Sequence, residues 1–369
     1  MSATARAAVL RGIGDPLVLE DITLTPLAPD QVRVRIAASG VCHSDLSQAT
    51  GVLPAGTPCV LGHEGAGVVE EVGAQIQHVA PGDHVVMAWV AACGRCWYCQ
   101  RGEVHLCRNA IRDVYSMPYA NDVAGVPLFT SMGVSSFATA TNCLGRAVVK
   151  IDDDIPLEIA ALIGCGVATG AGASLNTAPV PHGSSVAVFG LGGVGLAVLM
   201  GARVRGAAQI IAVDPVASRR EIALELGATH VVDPGAQDTA ATVKAIKALT
   251  GRRGADIAFE VVGRAATIET AFAATRPGGI TCVVGAPPPT EIISLPANDL
   301  YMQGKTVVGC QYGSVVPARD FPMLLDLWRA GRLPLERLIT RRIALADVND
   351  AFSDLQQGNG IRSVIINDA

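Results

Sequence analysis

The chain has 369 residues, of which 50% are hydrophobic and 17% are charged, and its formal net charge is −5. This length exceeds what one ordinary hydrophobic core holds and predicts two domains. The charge provides neither a basic surface for a nucleic acid nor a polybasic segment for a membrane, so we expect neither as a partner. The first residues lack the apolar core of a signal peptide, and we expect no segment that spans a bilayer, which favours a cytoplasmic protein.

Strand signals dominate the first 150 residues, where glycine, β-branched residues and turn-forming residues are frequent. Val32, Val34 and Ile36 alternate with Arg33 and Arg35, and this period of two is typical of a half-buried strand. We predict a mainly β region with strands over residues 7–10, 31–38, 65–72 and 84–87.

Three potential metal ligands lie far apart in the chain, namely Cys42, His63 and Cys165. Ligands with such spacing meet only after folding, and three of them leave one coordination position of a zinc ion open for a substrate. Each residue alone could be a buried cysteine or a core histidine. Ser44 and Glu64, which lie beside them in glycine-rich segments, favour a site instead.

A second set of cysteines is clustered with the spacing C-x2-C-x2-C-x7-C. Four thiolates on a short loop surround one zinc ion completely, which predicts a closed structural site. An iron–sulfur cluster fits the ligand type as well, although nothing else in the sequence indicates electron transfer. The clustered cysteines are Cys93, Cys96, Cys99 and Cys107, and the four others, which we interpret as small buried hydrophobes, are Cys59, Cys143, Cys282 and Cys310.

Strands and helices alternate from residue 184 onwards, which predicts a doubly wound parallel sheet. After about residue 305 the alternation stops, and a tail with helical patterns over 321–330 and 346–357 returns to the first domain. We therefore predict a catalytic domain over 1–166, a nucleotide-binding domain over 167–306, and completion of the catalytic domain by 307–369. The predicted strands are 184–189, 209–213, 231–232, 257–261 and 280–284, and the predicted helices are 194–205, 219–226, 239–249 and 268–274.

A G-x-G-x-x-G fingerprint over residues 190–195 joins the first of these strands to its helix, where backbone amides and the helix dipole favour a pyrophosphate. Gly190 permits the tight turn, Gly192 admits the phosphates, and Gly195 allows close packing of helix on strand. Gly193 and Val194 complete the loop. We predict a dinucleotide site here; the alternative is a glycine-rich turn that binds nothing.

Asp214 ends the next predicted strand, nineteen residues after Gly195. A carboxylate at this position accepts hydrogen bonds from the ribose hydroxyls and repels a 2′-phosphate, so NAD is favoured over NADP. Arg219 is a second candidate for a contact with the ribose or a phosphate.

In combination, these motifs resemble the zinc-dependent alcohol dehydrogenases of the medium-chain dehydrogenase/reductase superfamily over essentially the whole chain. The resemblance implies a mainly-β GroES-like catalytic domain, a doubly wound Rossmann domain, NAD, and two zinc ions per chain, one catalytic and one structural. It also implies a homodimer or homotetramer. The matching segments are G-V-C-H-S-D at 40–45, G-H-E-G-A-G-x-V at 62–69, the four-cysteine loop, G-C-G-V-A-T-G at 164–170, G-L-G-G-V-G at 190–195, Asp214 and the segment 361–363.

The resemblance assigns the three separated ligands to a catalytic zinc and gives roles to their neighbours. Glu64 would be a transient ligand or lie just behind the ligands, and Asp45 would orient His63 through its ring N–H. Ser44 would pass the alcohol proton towards the coenzyme ribose. Many members end this relay with a histidine where this chain has Ser47, so the outer part of the proton route is open.

Coenzyme contacts are implied for residues outside the fingerprint as well. His43 and Arg362 would contact the pyrophosphate, although both could be ordinary surface residues. Thr169 would pack beside the nicotinamide, and Val284 is assigned to the same coenzyme site.

The implied reaction is the reversible transfer of a hydride from a primary aliphatic or aromatic alcohol to NAD, which yields an aldehyde. The first alternative is a formaldehyde dehydrogenase that acts on an S-hydroxymethyl thiol adduct. The second is a non-catalytic NAD-binding relative, although such proteins typically lose zinc ligands that this chain retains. A polyol dehydrogenase often replaces the second cysteine with an acid, and Cys165 argues against that class.

Overall fold

The computed structural model describes residues 3–113, 117–235 and 239–367. The chain divides into two compact units. The first unit comprises Met1–Gly166, Val316–Asp326 and Leu335–Ala369, and the second comprises Val167–Val315 and Leu327–Pro334. The second unit thus continues past residue 306, while the domain boundaries predicted from the sequence stay a prediction.

The strands, in chain order, are β1 (Thr4–Leu10), β2 (Val18–Leu24), β3 (Gln31–Gly40), β4 (Cys59–Val60), β5 (Glu64–Val72), β6 (His84–Met87), β7 (Pro118–Asn121), β8 (Pro127–Thr130), β9 (Ala140–Leu144), β10 (Val148–Lys150), β11 (Ser185–Phe189), β12 (Gln209–Val213), β13 (His230–Val232), β14 (Ala255–Glu260), β15 (Thr275–Val283), β16 (Thr306–Gly309), β17 (Ile339–Ile343) and β18 (Arg362–Ile366).

The α-helices are α1 (His43–Ala49), α2 (Trp97–Gln100), α3 (Arg108–Asp113), α4 (Leu157–Leu162), α5 (Ala168–Gly172), α6 (Gly193–Val204), α7 (Ala217–Leu226), α8 (Thr239–Leu249), α9 (Ala265–Ala274), α10 (Ala297–Gln303), α11 (Pro317–Arg329) and α12 (Val348–Gln357). Segments Ile163–Val167 and Ala173–Thr177 are π-helical, and short 3-10 turns occupy Val104–Leu106, Gly145–Ala147, Tyr312–Ser314, Leu335–Leu338 and Leu345–Asp347.

The first unit is mainly β, as predicted. Strands β1, β2, β7, β8 and β4 close a small barrel, and a second sheet has the order β10-β6-β5-β3-β18-β17, with β9 also paired to β3. Strand β18 pairs with β3 in the antiparallel sense, so the C-terminal segment completes this sheet. Phe137 and Phe352 meet inside the barrel core, with ring centroids 6.2 Å apart.

Strand β3 differs from the half-buried strand that its alternating pattern predicts. Val32, Val34 and Ile36 are buried as expected, but Arg33 on the other face is also buried. Its guanidinium donates to Asn142 at 3.1 Å and to Glu71 at 2.6 Å. These bonds compensate the burial of the Arg33 charge.

The second unit contains one six-stranded parallel sheet with the order β13-β12-β11-β14-β15-β16, which confirms the doubly wound fold. Strand order reverses between β11 and β14. In open α/β sheets, ligands bind beyond the carboxyl ends of the strands at such a switch point. The fingerprint loop, which follows β11, lies at this position.

The helical stretch Leu157–Thr177 corrects the expectation of no segment long enough to cross a bilayer. It has 21 residues and sufficient mean hydropathy, but 83% of its most apolar window is buried inside the protein. A buried core helix passes the same test of length and composition.

Two π-helical segments interrupt this stretch, and π-helical turns in proteins are frequent at functional sites.

Candidate metal and coenzyme sites

The clustered cysteines converge around one point at the start of a short helical excursion. The four sulfurs of Cys93, Cys96, Cys99 and Cys107 lie within 4.8 Å of one another. Cys96 Sγ is 3.6 Å from Cys99 Sγ and 3.8 Å from Cys107 Sγ. Tetrahedral coordination with Zn–S bonds of about 2.3 Å places sulfurs about 3.8 Å apart, so these residues fit a zinc ion.

Hydrogen bonds to the Cys93 sulfur favour its thiolate form. The backbone N–H of Cys96 and the side-chain amide of Asn109 donate to Cys93 Sγ at 3.3 Å and 3.2 Å. Partial burial opposes ionisation of Cys93, but the N–H groups of Arg95 and Cys96 prevail and lower its pKa to about 6. A thiol that ionises near neutral pH is prepared to bind a metal ion.

Asp45 holds two of the separated ligands in place. Cys42 caps the N-terminus of α1, and its backbone N–H donates to Asp45 Oδ2 at 3.1 Å. The other carboxylate oxygen, Oδ1, accepts from His63 Nδ1 at 2.8 Å and from Gly62 N at 3.1 Å. One buried carboxylate therefore fixes both the helix start that carries Cys42 and the segment that carries His63.

The tautomer of His63 follows from this arrangement, because a carboxylate only accepts and Nδ1 must donate to it. Burial lowers the pKa of His63, but the Asp45 carboxylate and the Cys42 sulfur outweigh that cost and raise the pKa well above its usual range. Its other nitrogen, Nε2, is buried and has no hydrogen-bond partner among the described residues. A buried, unpartnered nitrogen beside two thiols fits a metal ligand.

Cys165, the third separated ligand, lies in the π-helical segment Ile163–Val167. The pKa of Cys42 is lowered well below its usual range, chiefly because the Cys165 thiol donates a hydrogen bond to its sulfur, and the pKa of Cys165 is raised accordingly. Ligand atoms of Cys42, His63, Glu64 and Cys165 all lie within 4.8 Å of one another. The structure thus brings the three sequence-predicted ligands together.

Glu64 and Arg362 form a buried ion pair, with 3.4 Å between Arg362 Nη1 and Glu64 Oε1. Oε1 also accepts from Gly166 N at 3.0 Å, while Arg362 donates to the carbonyl of Val41 at 3.0 Å. Burial raises the pKa of Glu64 to about 7, although Arg362 acts in the opposite direction. A Cβ at Gly166 would lie 2.6 Å from Arg362 Nη2, which explains this glycine.

Arg362 is therefore buried, which excludes the alternative that it is an ordinary surface residue. Its predicted contact with a pyrophosphate stays a prediction. His43, the first residue of α1, is exposed, and Ser44 is half-buried with its Oγ 4.0 Å from Cys42 Sγ.

We expect Asp45→Asn to weaken metal retention and activity by about 10–100-fold. The asparagine side chain replaces one carboxylate oxygen with an NH2 group, which cannot accept from the N–H groups that this oxygen binds in the wild type. Zinc release to a chelator, followed by absorbance, and the steady-state rate measure the two effects. Asp122→Asn is the matched control, since Asp122 is a buried carboxylate that accepts backbone N–H groups in the β7–β8 hairpin. Equal zinc release from the Asp45→Asn variant and the wild-type protein would contradict the role of Asp45.

Different structural features of the second unit explain the glycines of the fingerprint loop and Gly170 in the neighbouring helix α5. Gly190 has φ +90°, and a Cβ at Gly195 would lie 1.8 Å from the Gly190 carbonyl oxygen. Gly170 in α5 makes way for α6, because its Cβ would lie 2.2 Å from Val194 O. Gly192 has no heavy atom of the described residues within 4 Å of such a Cβ. The positive φ angle explains Gly190, and packing explains Gly195 and Gly170. The approach of phosphates to Gly192 stays a prediction.

Asp214 is buried directly beneath this loop. Its Oδ2 accepts from Leu191 N at 2.8 Å and its Oδ1 accepts from Val216 N at 2.8 Å. Arg219 Nη1 lies 3.9 Å from Oδ2, and Arg220 donates to the Asp214 carbonyl at 2.6 Å. The carboxylate is thereby fixed at the carboxyl end of β12, beside the fingerprint.

Glu260 is a residue that the sequence reasoning missed. It ends β14, and its Oε1 accepts from Val262 N and Gly263 N, both at 2.9 Å, and from the Thr267 hydroxyl at 2.6 Å. Its backbone carbonyl accepts from Val284 N at 2.7 Å. Glu260 thus anchors two loops at the carboxyl end of the sheet, and a carboxylate at the end of a buried strand was the available signal.

A mainly β unit with a buried Cys–His–Cys cluster, a four-cysteine loop and a second unit with a dinucleotide fingerprint together define a zinc-type dehydrogenase. Family models agree: residues 28–153 match the alcohol dehydrogenase GroES-like domain and residues 193–330 match the zinc-binding dehydrogenase domain. The chain belongs to the zinc-dependent alcohol dehydrogenases of the medium-chain dehydrogenase/reductase superfamily. Its members are oxidoreductases, and membership implies zinc and NAD.

Several relatives match along nearly the full length. A geraniol dehydrogenase of Castellaniella defragrans is 40% identical, with 98% of each chain covered. An S-(hydroxymethyl)glutathione dehydrogenase of Saccharomyces cerevisiae is 37% identical, with 98% of this chain and 96% of the relative covered. The crystal structure of benzyl alcohol dehydrogenase from Acinetobacter calcoaceticus is similar with a TM-score of 0.92 at 34% identity, covering 99% of this chain and 100% of that one.

Proposed function

We propose that this protein is an NAD-dependent zinc alcohol dehydrogenase that oxidises primary aliphatic or aromatic alcohols to aldehydes, reversibly. The observation that carries the proposal is the buried Cys42–His63–Cys165 cluster, with the unpartnered His63 Nε2 directed into it. Relatives named for geraniol and benzyl alcohol, both primary alcohols, support the substrate class.

In this proposal Cys42, His63 and Cys165 hold a catalytic zinc, and the four-cysteine loop holds a structural one. When bound, zinc supplies a Lewis acid that lowers the pKa of an alcohol, and NAD supplies the hydride acceptor. Asp45 keeps the His63 ring in the tautomer that directs Nε2 into the cluster. Glu64 is a transient ligand or lies just behind the ligands, and Arg362 compensates its charge.

Ser44 is the proposed proton acceptor because its hydroxyl lies next to the ligand set and is half-buried. Its Oγ takes the alcohol proton and passes it onward. Ser47 lies one helical turn later on the same face of α1. A serine at this position neither holds nor releases a proton as readily as a histidine, so we propose that water receives the proton beyond Ser44.

Metal analysis and an activity panel test the proposal together. We expect two zinc ions per chain, and we expect oxidation of aliphatic and aromatic primary alcohols with NAD to exceed oxidation with NADP. One zinc ion or none, combined with no turnover on any alcohol, would favour a non-catalytic NAD-binding relative instead.

Coenzyme preference is expected to depend on Asp214. Asp214→Ser removes the carboxylate that accepts from the ribose hydroxyls, so we expect the ratio of kcat/KM with NAD to that with NADP to fall about 100-fold, or about 2.7 kcal/mol. Steady-state kinetics with both coenzymes measure this ratio. Asp256→Asn is the control, because Asp256 accepts from Ser185 N at the opposite, amino end of the sheet. An unchanged ratio in Asp214→Ser would contradict the assignment.

A formaldehyde dehydrogenase that acts on a thiol adduct is the second candidate, and the relative named S-(hydroxymethyl)glutathione dehydrogenase favours it. Formaldehyde oxidation with and without glutathione separates the two. Stimulation of more than about tenfold by the thiol would favour this second candidate, since thiol-independent oxidation of primary alcohols requires none.

We also propose that the protein forms a homodimer or a homotetramer in the cytoplasm. Strand β16 is an edge strand of the six-stranded sheet, and Tyr301 and Met302 of the preceding helix α10 are highly exposed. An open strand edge next to exposed apolar side chains supports pairing of two copies. Light scattering of the purified protein gives the oligomeric state directly.

A further inference from the structure

Two cysteines with no part in the metal sites lie side by side in the second unit. Cys282 lies in β15 directly opposite Val308 of β16, and Cys310 follows the end of β16. The Cys310 backbone N–H donates to Val283 O at 2.8 Å, which holds the two chain segments together. Both thiols are largely buried and free, and their side chains are hydrogen-bonded to each other.

The two thiols have different chemical character. The Thr177 hydroxyl donates to Cys310 Sγ at 3.3 Å and is itself bonded to the Ser314 hydroxyl at 2.8 Å. The hydrogen bond from Cys282 lowers the pKa of Cys310, and the same contact raises the pKa of Cys282. One sulfur is therefore favoured as a thiolate nucleophile, and the other is a thiol held against it.

The pair lies among the segments that the proposed function assigns to the coenzyme. Cys282 is two residues before Val284, at the carboxyl end of β15. Residues Tyr312, Gly313 and Ser314 all have positive φ angles, and Gly313 approaches α5 so closely that a Cβ would lie 2.9 Å from Thr169 O. Since residues 310–314 are tightly fitted against α5, a shift of Cys310 moves the backbone next to Thr169.

We propose that Cys282 and Cys310 form a reversible disulfide when the protein meets a peroxide, and that this modification weakens coenzyme binding. The Cys310 thiolate attacks the peroxide, the O–O bond breaks, and a sulfenic acid and hydroxide form; the proton that the Cys310 thiol released turns this hydroxide into water. The Cys282 sulfur then displaces hydroxide from the sulfenic sulfur, and its proton completes a second water. Overall two thiols lose two electrons and two protons to one hydrogen peroxide. The S–S distance of about 2.05 Å draws Cys310 towards β15.

The effect on coenzyme binding rests on the proposed NAD site, whereas disulfide formation does not. The zinc-loaded protein is treated with hydrogen peroxide, and a 282–310 cross-link is sought by peptide mass spectrometry. We expect this cross-link, its reversal by dithiothreitol, and an increase of about tenfold in the Kd for NADH, measured by fluorescence and equal to about 1.4 kcal/mol. Failure of the reduced protein to bind NADH would instead count against the proposed function.

Variants separate this pair from the zinc thiolates, which peroxide also attacks. Cys282→Ala keeps a constant Kd for NADH under peroxide, and Thr177→Val slows formation of the cross-link. Cys143→Ala removes a buried cysteine of the first unit and remains as sensitive as the wild type. Zinc release is followed in every sample. Absence of the 282–310 cross-link, or an increase in Kd that is equal in Cys282→Ala and follows zinc release, overturns the proposal.

Discussion

Alcohol oxidation by Cys42→Ala is expected to be at least about 10³-fold slower than by the wild type, which corresponds to about 4 kcal/mol of lost transition-state stabilisation. Cys42 is the proposed ligand with the lowered pKa, and its thiolate supplies negative charge that balances a divalent cation. Alanine at this position leaves Cys165 and His63 as two ligands only, which do not hold a catalytic zinc in a tetrahedral site.

Coenzyme binding separates this loss from unfolding. Cys42 belongs to the first unit and the fingerprint loop to the second, so the Kd for NADH is expected to stay within about twofold of the wild type. Zinc content should fall by one ion per chain, because the four-cysteine loop is untouched. Cys143→Ala, which removes a buried thiol that is not a proposed ligand, is the control. Normal alcohol oxidation by Cys42→Ala with one zinc ion missing would exclude the catalytic-zinc assignment.

Ser44→Ala is expected to lower kcat by about 10²–10⁴-fold, the range in which a positioned proton acceptor contributes. Ser44→Thr retains a hydroxyl at the same position and should recover most of the rate. Zinc content should be unchanged in both variants, since Ser44 Oγ lies 4.0 Å from the Cys42 sulfur and is not a proposed ligand. Steady-state rates, together with the solvent deuterium isotope effect on kcat, measure the change in proton transfer.

Ser47 provides the matched comparison on the same helix. If water receives the proton beyond Ser44, Ser47→Ala changes kcat by less than about twofold. A loss in Ser47→Ala as large as in Ser44→Ala would show that the relay passes through both hydroxyls. Equal rates for Ser44→Ala and the wild type would remove Ser44 from the mechanism.

The proposed disulfide of Cys282 and Cys310 gives thiols of this protein a role other than metal binding. Six cysteines are proposed metal ligands, and Cys59 and Cys143 fit the interpretation of small buried hydrophobes, with burial raising the pKa of each to about 12. Cys282 and Cys310 shared that interpretation, and both are buried as it predicts. Their mutual contact is what distinguishes them, and no spacing rule connects Cys282 in β15 with Cys310, which follows β16.

Sequence patterns correctly predicted the bounds of those helices and strands that have strong local signals. Helix α8 and strands β6 and β12 begin and end where the patterns predict, since continuous apolar runs and amphipathic periods depend only on neighbouring residues. The fingerprint loop was predicted for the same reason, since its glycine spacing is a local pattern. Short strands such as β7, β8 and β17 went unpredicted, because four or five residues of mixed polarity carry no period and form strands only by pairing with distant partners.

The chemistry of the candidate sites was readable from the sequence because cysteine and histidine in glycine-rich segments are uncommon and their spacing is informative. Only the tertiary structure decided which groups surround them. Asp45 bonds both Gly62 and His63, and Arg362 is buried against Glu64 some 300 residues away in the chain. Glu260 anchors two loops at the carboxyl end of the parallel sheet. Such contacts join residues far apart in the sequence, and the free energy that fixes them comes from burial and hydrogen bonding of the folded chain, which no local pattern contains.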